Sequence, residues 1–268
     1  MALRIQNNIE AHNAHRQLVK TNERLSKSME KLASGYRINR AADDAAGLAI
    51  SERLRGQIRG ISQAQRNLND AVSMVQTAEA SLVEVHNMLQ RVRELAVQFK
   101  NGSISTADRD AIQSEVNMLA SEVERIGSSA EFNNIKLLNA NMSVTFQVGA
   151  NDGQTIVVST VSLGQAVPPA VYSLTVTGPD LSEIDAAIVA VGTQRSQFGS
   201  VQNRLEHTLA SLATYEENLT ASESRVRDVD MAKAMTELTK MQILQQAGTA
   251  MLAQANQTPQ SVLRLLQG

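Results

Sequence analysis

The chain has no cysteine and no tryptophan among its 268 residues, and only three tyrosines and four phenylalanines. Without thiols there is no disulfide framework, no thiolate metal site and no thiol nucleophile, and the redox compartment leaves no mark on the sequence. So few aromatic residues argue against a large aromatic-lined ligand pocket. Proline is absent before Pro168, so nothing in the first half of the chain removes a helical N–H. Net charge is only -2. The first 60 residues do carry eleven Lys and Arg against six Asp and Glu. These bases are scattered among acids and lack interleaved aromatics, which does not suit a nucleic-acid surface. No apolar run is long enough to span a bilayer: residues 241–263 carry no formal charge but include seven Gln and Asn side chains. Membrane insertion is therefore not expected.

What is present is a set of seven-residue ladders. One runs Leu54, Ile61, Leu68, Val75, Leu82, Leu89, Ala96; a second, interleaved, runs Ile50, Gln57, Ala64, Ala71, Ala78, Val85, Val92, Phe99. Two such rows predict one long helix with a narrow seam that must meet other helices. At about 1.5 Å per residue it is a rod of roughly 75 Å. A distant third ladder, Ile184, Val191, Phe198, Leu205, Leu212, Leu219 and Val226, predicts a second long helix. Ile112, Val116, Leu119, Val123 and Ile126 mark a shorter one between them. A lone helix is marginal in water. Burying a Leu, Ile or Val contributes roughly 1.5–3 kcal/mol, so the three stripes are expected to bury one another.

The remaining elements follow from turn and cap signals. Residues 3–33 read as a helix, with Ala11, Leu18, Leu25 and Leu32 seven apart and Ser34-Gly35 as its stop. The long helix ends at Asn101-Gly102, and Ser105 or Thr106 caps the next, with Asp108 near its positive end. Val144, Phe146 and Val148 alternate, a turn rich in Gly, Asn and Asp follows, and residues 155–161 are rich in β-branched side chains, which predicts a hairpin. A third strand is expected at 171–177, and Asp180-Leu-Ser-Glu183 has the pattern of a capping box. The last helix begins near Met231, with a row Met231, Met235, Leu238, Met241, Leu244, Gly248, Met251, Ala255 and a second apolar face of Ile243, Ala247, Ala250 and Ala253. The fold class is thus mainly α: a long, coiled-coil-like helical bundle formed by the N- and C-terminal halves, with a small β-hairpin region in the middle.

Catalytic patterns are missing. His12 and His15 lie three apart beside Glu10, a spacing that can hold a metal, but no third ligand is evident and there is no HExxH arrangement. His86 and His207 read as lone structural histidines. The acid pairs Asp43-Asp44 and Asp228/Asp230 stand at helix starts, where a carboxylate complements the dipole. There is no Walker loop, dinucleotide glycine fingerprint or Gly-x-Ser-x-Gly elbow. No catalytic, cofactor or metal site is expected, and the chain does not read as an enzyme.

The segment Leu32-Ala-Ser-Gly-Tyr-Arg-Ile-Asn-Arg-Ala-Ala-Asp-Asp-Ala-Ala-Gly-Leu-Ala-Ile-Ser closely resembles the N-terminal signature of bacterial flagellins. So does the opening Arg4-Ile-Gln-Asn-Asn-Ile. Met251-Leu-Ala-Gln-Ala-Asn-Gln-Thr-Pro-Gln-Ser-Val-Leu resembles the flagellin C-terminus. The resemblance covers about residues 1–140 and 181–268, and the chain lacks room for the outer variable domains of larger flagellins. It implies a terminal coiled-coil core domain from 1–43 and 229–268, a helical bundle domain from 44–140 and 180–228, and a hairpin part at 141–179. By the same resemblance Leu18, Leu25, Leu32, Leu238, Met241, Leu244, Met251 and Leu252 serve filament-core assembly. The stretch Leu89-Gln-Arg-Val-Arg-Glu-Leu-Ala-Val-Gln98 resembles the part of flagellins met by a vertebrate Toll-like receptor, with Gln90, Arg91, Leu95 and Glu115 as contacts.

The function so implied is a structural subunit that self-assembles into the flagellar filament for swimming. Its partners would be other copies of itself, an export chaperone on the last helix at about 231–268, and the filament cap and hook-associated proteins. Flagellins leave the cell unfolded through a type III apparatus, without a cleaved signal peptide. The opening ten residues have no apolar core of signal-peptide length, in keeping with that route. A hook–filament junction protein shares the terminal helices but is usually longer in the middle. A coiled-coil signalling hairpin would need heptads unbroken through its tip, where this chain has β-rich, Pro-containing sequence.

Overall fold

The computed structural model describes residues 7–160 and 162–267, with side chains as far as Gln257. Residues 4–6 of the opening motif, Val161 at the end of the expected second strand, and the side chains of the Thr-Pro-Gln-Ser-Val-Leu motif lie outside the described residues. Among the described residues six helices carry most of the chain: α1 (Ile9–Ser34), α2 (Ala45–Phe99), α3 (Thr106–Ser129), the single turn α4 (Leu163–Ala166), α5 (Asp180–Arg227) and α6 (Met231–Gln267). Between α3 and α4 lie two small antiparallel ribbons, β1 (Glu131–Phe132) with β2 (Ile135–Lys136), and β3 (Met142–Gln147) with β4 (Thr155–Thr160).

The chain forms two compact units. One holds α2 and α5 between Gln57 and Asn218 with everything that joins them; the other holds α1, α6, α2 up to Gly56 and α5 from Leu219. The division falls inside α2 and α5, not at their ends.

In the first unit α2 runs antiparallel to both α3 and α5. Arg91 of α2 meets Glu115 of α3, while Arg93, Glu79 and Gln65 of α2 meet Asp185, Arg195 and Glu216 of α5 in reverse order. Both ladders of α2 close over this frame. Ile61, Leu68, Val75, Leu82, Leu89 and Ala96 are buried, as are Ala64, Ala71, Ala78, Val85, Val92 and Phe99. Met74 and Leu95, beside the ladders, are buried too. They widen the seam where α2 has two helical partners. From α5 come Ile184, Val191, Phe198 and Leu205, from α3 Ile112, Val116 and Val123. Leu212 of α5 is only half-buried against the same core.

The hairpin pairs Val144 with Val158 and Phe146 with Ile156, and alternate residues of β4, Ile156, Val158 and Thr160, are buried. Its turn, with Gly153 at φ +81°, rests on α2: a Cβ on Gly60 would come within 2.8 Å of the Ala150 Cβ. Asn67 of α2 donates to the Gln147 carbonyl and the buried Gln194 of α5 to that of Ser159, fastening the hairpin to both long helices.

Two local expectations need correction, and one ribbon was not anticipated. Residues 171–177 form no strand. Pro169–Tyr172 is a 3-10 turn that begins on proline, and Val171 and Leu174 reach the core from irregular backbone. Consecutive prolines at 168 and 169 offer no N–H to a ladder. The capping box at Asp180 does not form either. The Asp180 carboxylate turns back to accept from the Thr175 amide and hydroxyl at 2.7 and 2.9 Å, and the Pro179 carbonyl takes the first helical amides, from Ser182 and Glu183. Finally, β1 and β2 turn on Asn133 and Asn134, both at positive φ, a tight hairpin that the Asn-Asn pair permits.

In the second unit α1 packs antiparallel to α6: the Asn8 side chain donates to the Ala255 carbonyl, and a Cβ on Gly248 would lie 3.2 Å from Leu18 Cδ1. Asn8 caps α1 by accepting from the Ala11 amide, Gly35 ends it at φ +76°, and Asp230 caps α6 through the Lys233 amide. Asp43 and Asp44 likewise accept backbone amides, of Asn39 and Arg40 and of Gly47. The α1–α2 and α5–α6 connectors are clasped by the Arg37 amide on the Arg227 carbonyl and the Val229 amide on that of Gly35. Arg227 also stacks 4.8 Å over the Tyr36 ring and pairs with Glu52. Here the expected seam thins out: Leu54 and Leu219 are half-buried and Ile50 is exposed, because this unit contains neither α3 nor the hairpin.

Candidate functional site

The α1–α6 pair is the part of the molecule whose surface is least finished. Every side chain that α1 offers to α6 stays at least partly open, and no α1 residue is buried. Of the half-buried positions of α1, Ala11, Ala14, Leu18, Thr21, Leu25, Ser28 and Leu32 keep a strict heptad, joined near the end by Glu30 and Lys31. On α6 the matching row is Ala234, Leu238, Met241, Gln245, Gly248, Leu252 and Ala255. Three of its seven members are small, Ala234, Gly248 and Ala255, and Gly248 leaves room for Leu18 of α1. Gly248 lies directly opposite Leu18. The row read from sequence therefore splits. Leu238, Met241, Gly248 and Ala255 join the seam, whereas Met231, Met235, Leu244 and Met251 stand outside it. Leu252 belongs to the seam. Ile243 and Met251, about 60 % and 64 % exposed, lie uncovered along α6, with Ile9, Val19 and Met29 uncovered on α1. Met235, Thr239, Ile243 and Leu244 line a shallow apolar furrow on α6. Contiguous apolar surface of this kind marks a contact face.

A second surface lies on α2 and α3. Arg91 donates to Glu115 through Nε and Nη2, at 3.1 and 2.9 Å, and through Nη1 to Glu94 at 3.1 Å. The bonds to Glu115, then to Glu94, push the guanidinium pKa further above its ordinary value. Gln90 is exposed and its amide meets His86 Nε2 at 3.0 Å, while His86 Nδ1 is enclosed without a partner among the described residues. Gln90, Arg91 and Glu115 thus share one accessible ridge. Leu95 does not: it is 2 % exposed and faces the core beside Val92 and Phe99, so its place is in the seam.

Chemistry of other kinds finds little footing. His12, His15 and His207 are exposed on their helices, and no group of three or more His, Asp or Glu that could hold a metal occurs among the described residues. No helix among the described residues is long and apolar enough to cross a membrane.

A chain built of long heptad helices, with an enclosed bundle and an apolar terminal pair left open, belongs to the class of self-assembling helical structural proteins. Comparison with known proteins makes the class specific. The bacterial flagellin N-terminal helical region matches residues 5–143 and the bacterial flagellin C-terminal helical region residues 181–266. The flagellin of Halalkalibacterium halodurans is 49 % identical over 269 residues, covering 98 % of this chain and 99 % of the relative. That of Bacillus subtilis is 46 % identical over 98 % of this chain and all of the relative. The crystal structure of Bacillus cereus flagellin aligns with a TM-score of 0.51 at 27 % identity, over 55 % of this chain and 88 % of that one. The chain belongs to the bacterial flagellin family, in a short form without outer variable domains. It is a structural subunit of the extracellular flagellar filament, associates with copies of itself, and is not an enzyme.

Proposed function

We propose that the chain enters the filament through the α1–α6 pair. Leu18, Leu25, Leu32, Leu238, Met241 and Leu252 hold the two helices to each other, and Leu244 and Met251, with Met231, Met235 and Ile243, join neighbouring copies. The observation that carries this is the set of five large apolar side chains left uncovered around the outer side of α6. Contacts of this type are heterologous: the face of one copy meets a different face of the next, and the series continues without closing. Before assembly these side chains need cover. This supports an export chaperone on α6 while the chain travels unfolded through the flagellar apparatus. Where the filament begins and ends, the pair would meet hook-associated and cap proteins.

Deleting residues 1–30 or 240–268 tests the reading. The remainder is expected to keep the melting transition of the α2–α3–α5 unit and to form no filaments on seeding. Electron micrographs of normal filaments from either truncation would remove the terminal pair from assembly. For the ridge we propose Toll-like receptor contact at Gln90, Arg91 and Glu115, supported by their shared exposure. Arg91→Ala should lower receptor signalling by the dilute subunit while its melting stays in place. Unchanged signalling would take Arg91 out of the contact.

A further inference from the structure

The sequence contains one Asn-Gly pair, Asn101-Gly102, in the turn between α2 and α3. The pair stops α2, and it also carries chemistry of its own. The backbone nitrogen that follows an asparagine can attack the side-chain carbonyl carbon, and glycine hinders the attack least because it has no Cβ. Inside helices and strands that nitrogen is committed to a ladder hydrogen bond. The turn removes this restraint.

α2 ends at Phe99, and the amides of Lys100 and Asn101 still reach back to the Ala96 and Gln98 carbonyls. The Gly102 amide donates to no group among the described residues. Asn101 and Gly102 are both exposed, and the space around Gly102 is open. The Asn101 side chain is folded forward: its Oδ1 accepts from the Ser103 amide at 3.3 Å, a bond that closes a ring around the Gly102 peptide. The same bond polarises the side-chain carbonyl toward attack. Asn101 Nδ2 has no partner among the described residues, so nothing retains it as a leaving group. The backbone carbonyl of Asn101 accepts from Arg109 Nη2 at 3.3 Å. That guanidinium stands 5.9 Å over Phe99 and enters no ion pair among the described residues.

We propose that Asn101 is a self-modification site. The Gly102 nitrogen loses its proton to hydroxide and bonds to Asn101 Cγ. The Cγ–Nδ2 bond breaks, and Nδ2 leaves as ammonia with a proton from water. Water then opens the five-membered imide at either carbonyl. One opening leaves aspartate. The other leaves isoaspartate, with the main chain rerouted through the side chain and longer by a methylene. The sum is an amide and water going to a carboxylate and ammonium, with no redox step. The carboxylate appears on the residue that Arg109 already holds, so its charge is met there.

The test ages the full chain, dilute, in neutral and in mildly alkaline buffer, and maps its peptides by mass spectrometry. Asn101 is expected to convert at least about tenfold faster than asparagines not followed by glycine, and Gly102→Ala should slow it at least about tenfold. The rate should rise with hydroxide. The folded chain should convert within about threefold of the same chain unfolded in urea, because the turn leaves the Gly102 amide unbonded. Hydroxylamine, which traps the imide, should cut the folded chain between Asn101 and Gly102. An intact amide at Asn101 while other asparagines convert, a rate unmoved by Gly102→Ala, or folded-chain conversion more than about tenfold slower than in urea would overturn the proposal. Melting reads the Arg109 contact separately. Asn101→Asp should leave the melting temperature of the parent in place and lower that of an Arg109→Gln chain. Equal effects in the two backgrounds would take Arg109 out of the site.

Discussion

The α2–α3–α5 bundle and the α1–α6 pair are written in the same seven-residue script, yet one is closed and the other is not. Along α2 from Ile61 to Phe99 every ladder position is buried, and along α1 none is. The difference lies in the number of partners. α2 meets two antiparallel helices and a hairpin, so a narrow seam flanked by Met74 and Leu95 becomes a full core. α1 and α6 meet only each other, and Met231, Met235, Ile243, Leu244 and Met251 of α6 remain uncovered. A heptad repeat states that a helix will be partnered. How many partners it needs is read from the apolar residues that the first partner leaves uncovered.

The largest effect that should separate the regions comes from Phe198, fully enclosed in the bundle. Phe198→Ala should cost the subunit about 3–5 kcal/mol in denaturant unfolding. Leu244→Ala, on the open face of α6, should change it by no more than about 0.5 kcal/mol and still impair filament growth. Equal losses from the two would erase the distinction. A smaller effect is expected inside the terminal pair. Gly248→Val forces side-chain atoms against Leu18, and overpacking of this kind costs about 1–3 kcal/mol. The loss should appear as faster hydrogen exchange in α1 and α6 with the bundle transition unmoved.

The smallest effect concerns acid. Asp180, 4 % exposed, is opposed by its burial, but the Thr175 amide and hydroxyl and Lys100, 3.4 Å away, prevail and hold its carboxyl below the ordinary value of 3.8. A carboxylate with a lowered folded-state pKa contributes stability above its unfolded pKa and loses it as pH falls through the folded one. The bundle should therefore lose stability below about pH 4, and Asp180→Asn should flatten that part of the profile relative to the parent. An unchanged acid limb in the variant would take Asp180 out of the acid response.

Much of this architecture was legible in the residues, for identifiable reasons. The ladders of α2 and α5 are long and uninterrupted, so period alone fixed the core from Ile61 to Phe99 and from Ile184 to Leu205. Gly35, Ser105 and Asp230 act where their backbone chemistry requires. The misreadings share a cause: local pattern was outweighed by a contact distant in space or by backbone constraint. Asp180 looked like a cap, but Lys100, from the end of α2, and Thr175 claim its carboxylate. Residues 171–177 have strand-forming side chains, but the two prolines before them set the backbone. On α6 Met231, Met235 and Met251 stand outside the seam, while Ala234, Gln245 and Leu252, which the apolar row omits, belong to it. Leu95, grouped with exposed Arg91 by resemblance, stands one turn along α2 from it and is buried in the core.

The most direct test is amide hydrogen exchange on the full chain, dilute and assembled. In the dilute subunit the amides of α2 beyond Ile61, of α3 and of α5 up to Leu205 should exchange slowly and those of α1 and α6 fast. In filaments all of them should be slow. Protection of α1 and α6 equal to that of the bundle in the dilute subunit would contradict the claim that the terminal pair is completed by other copies.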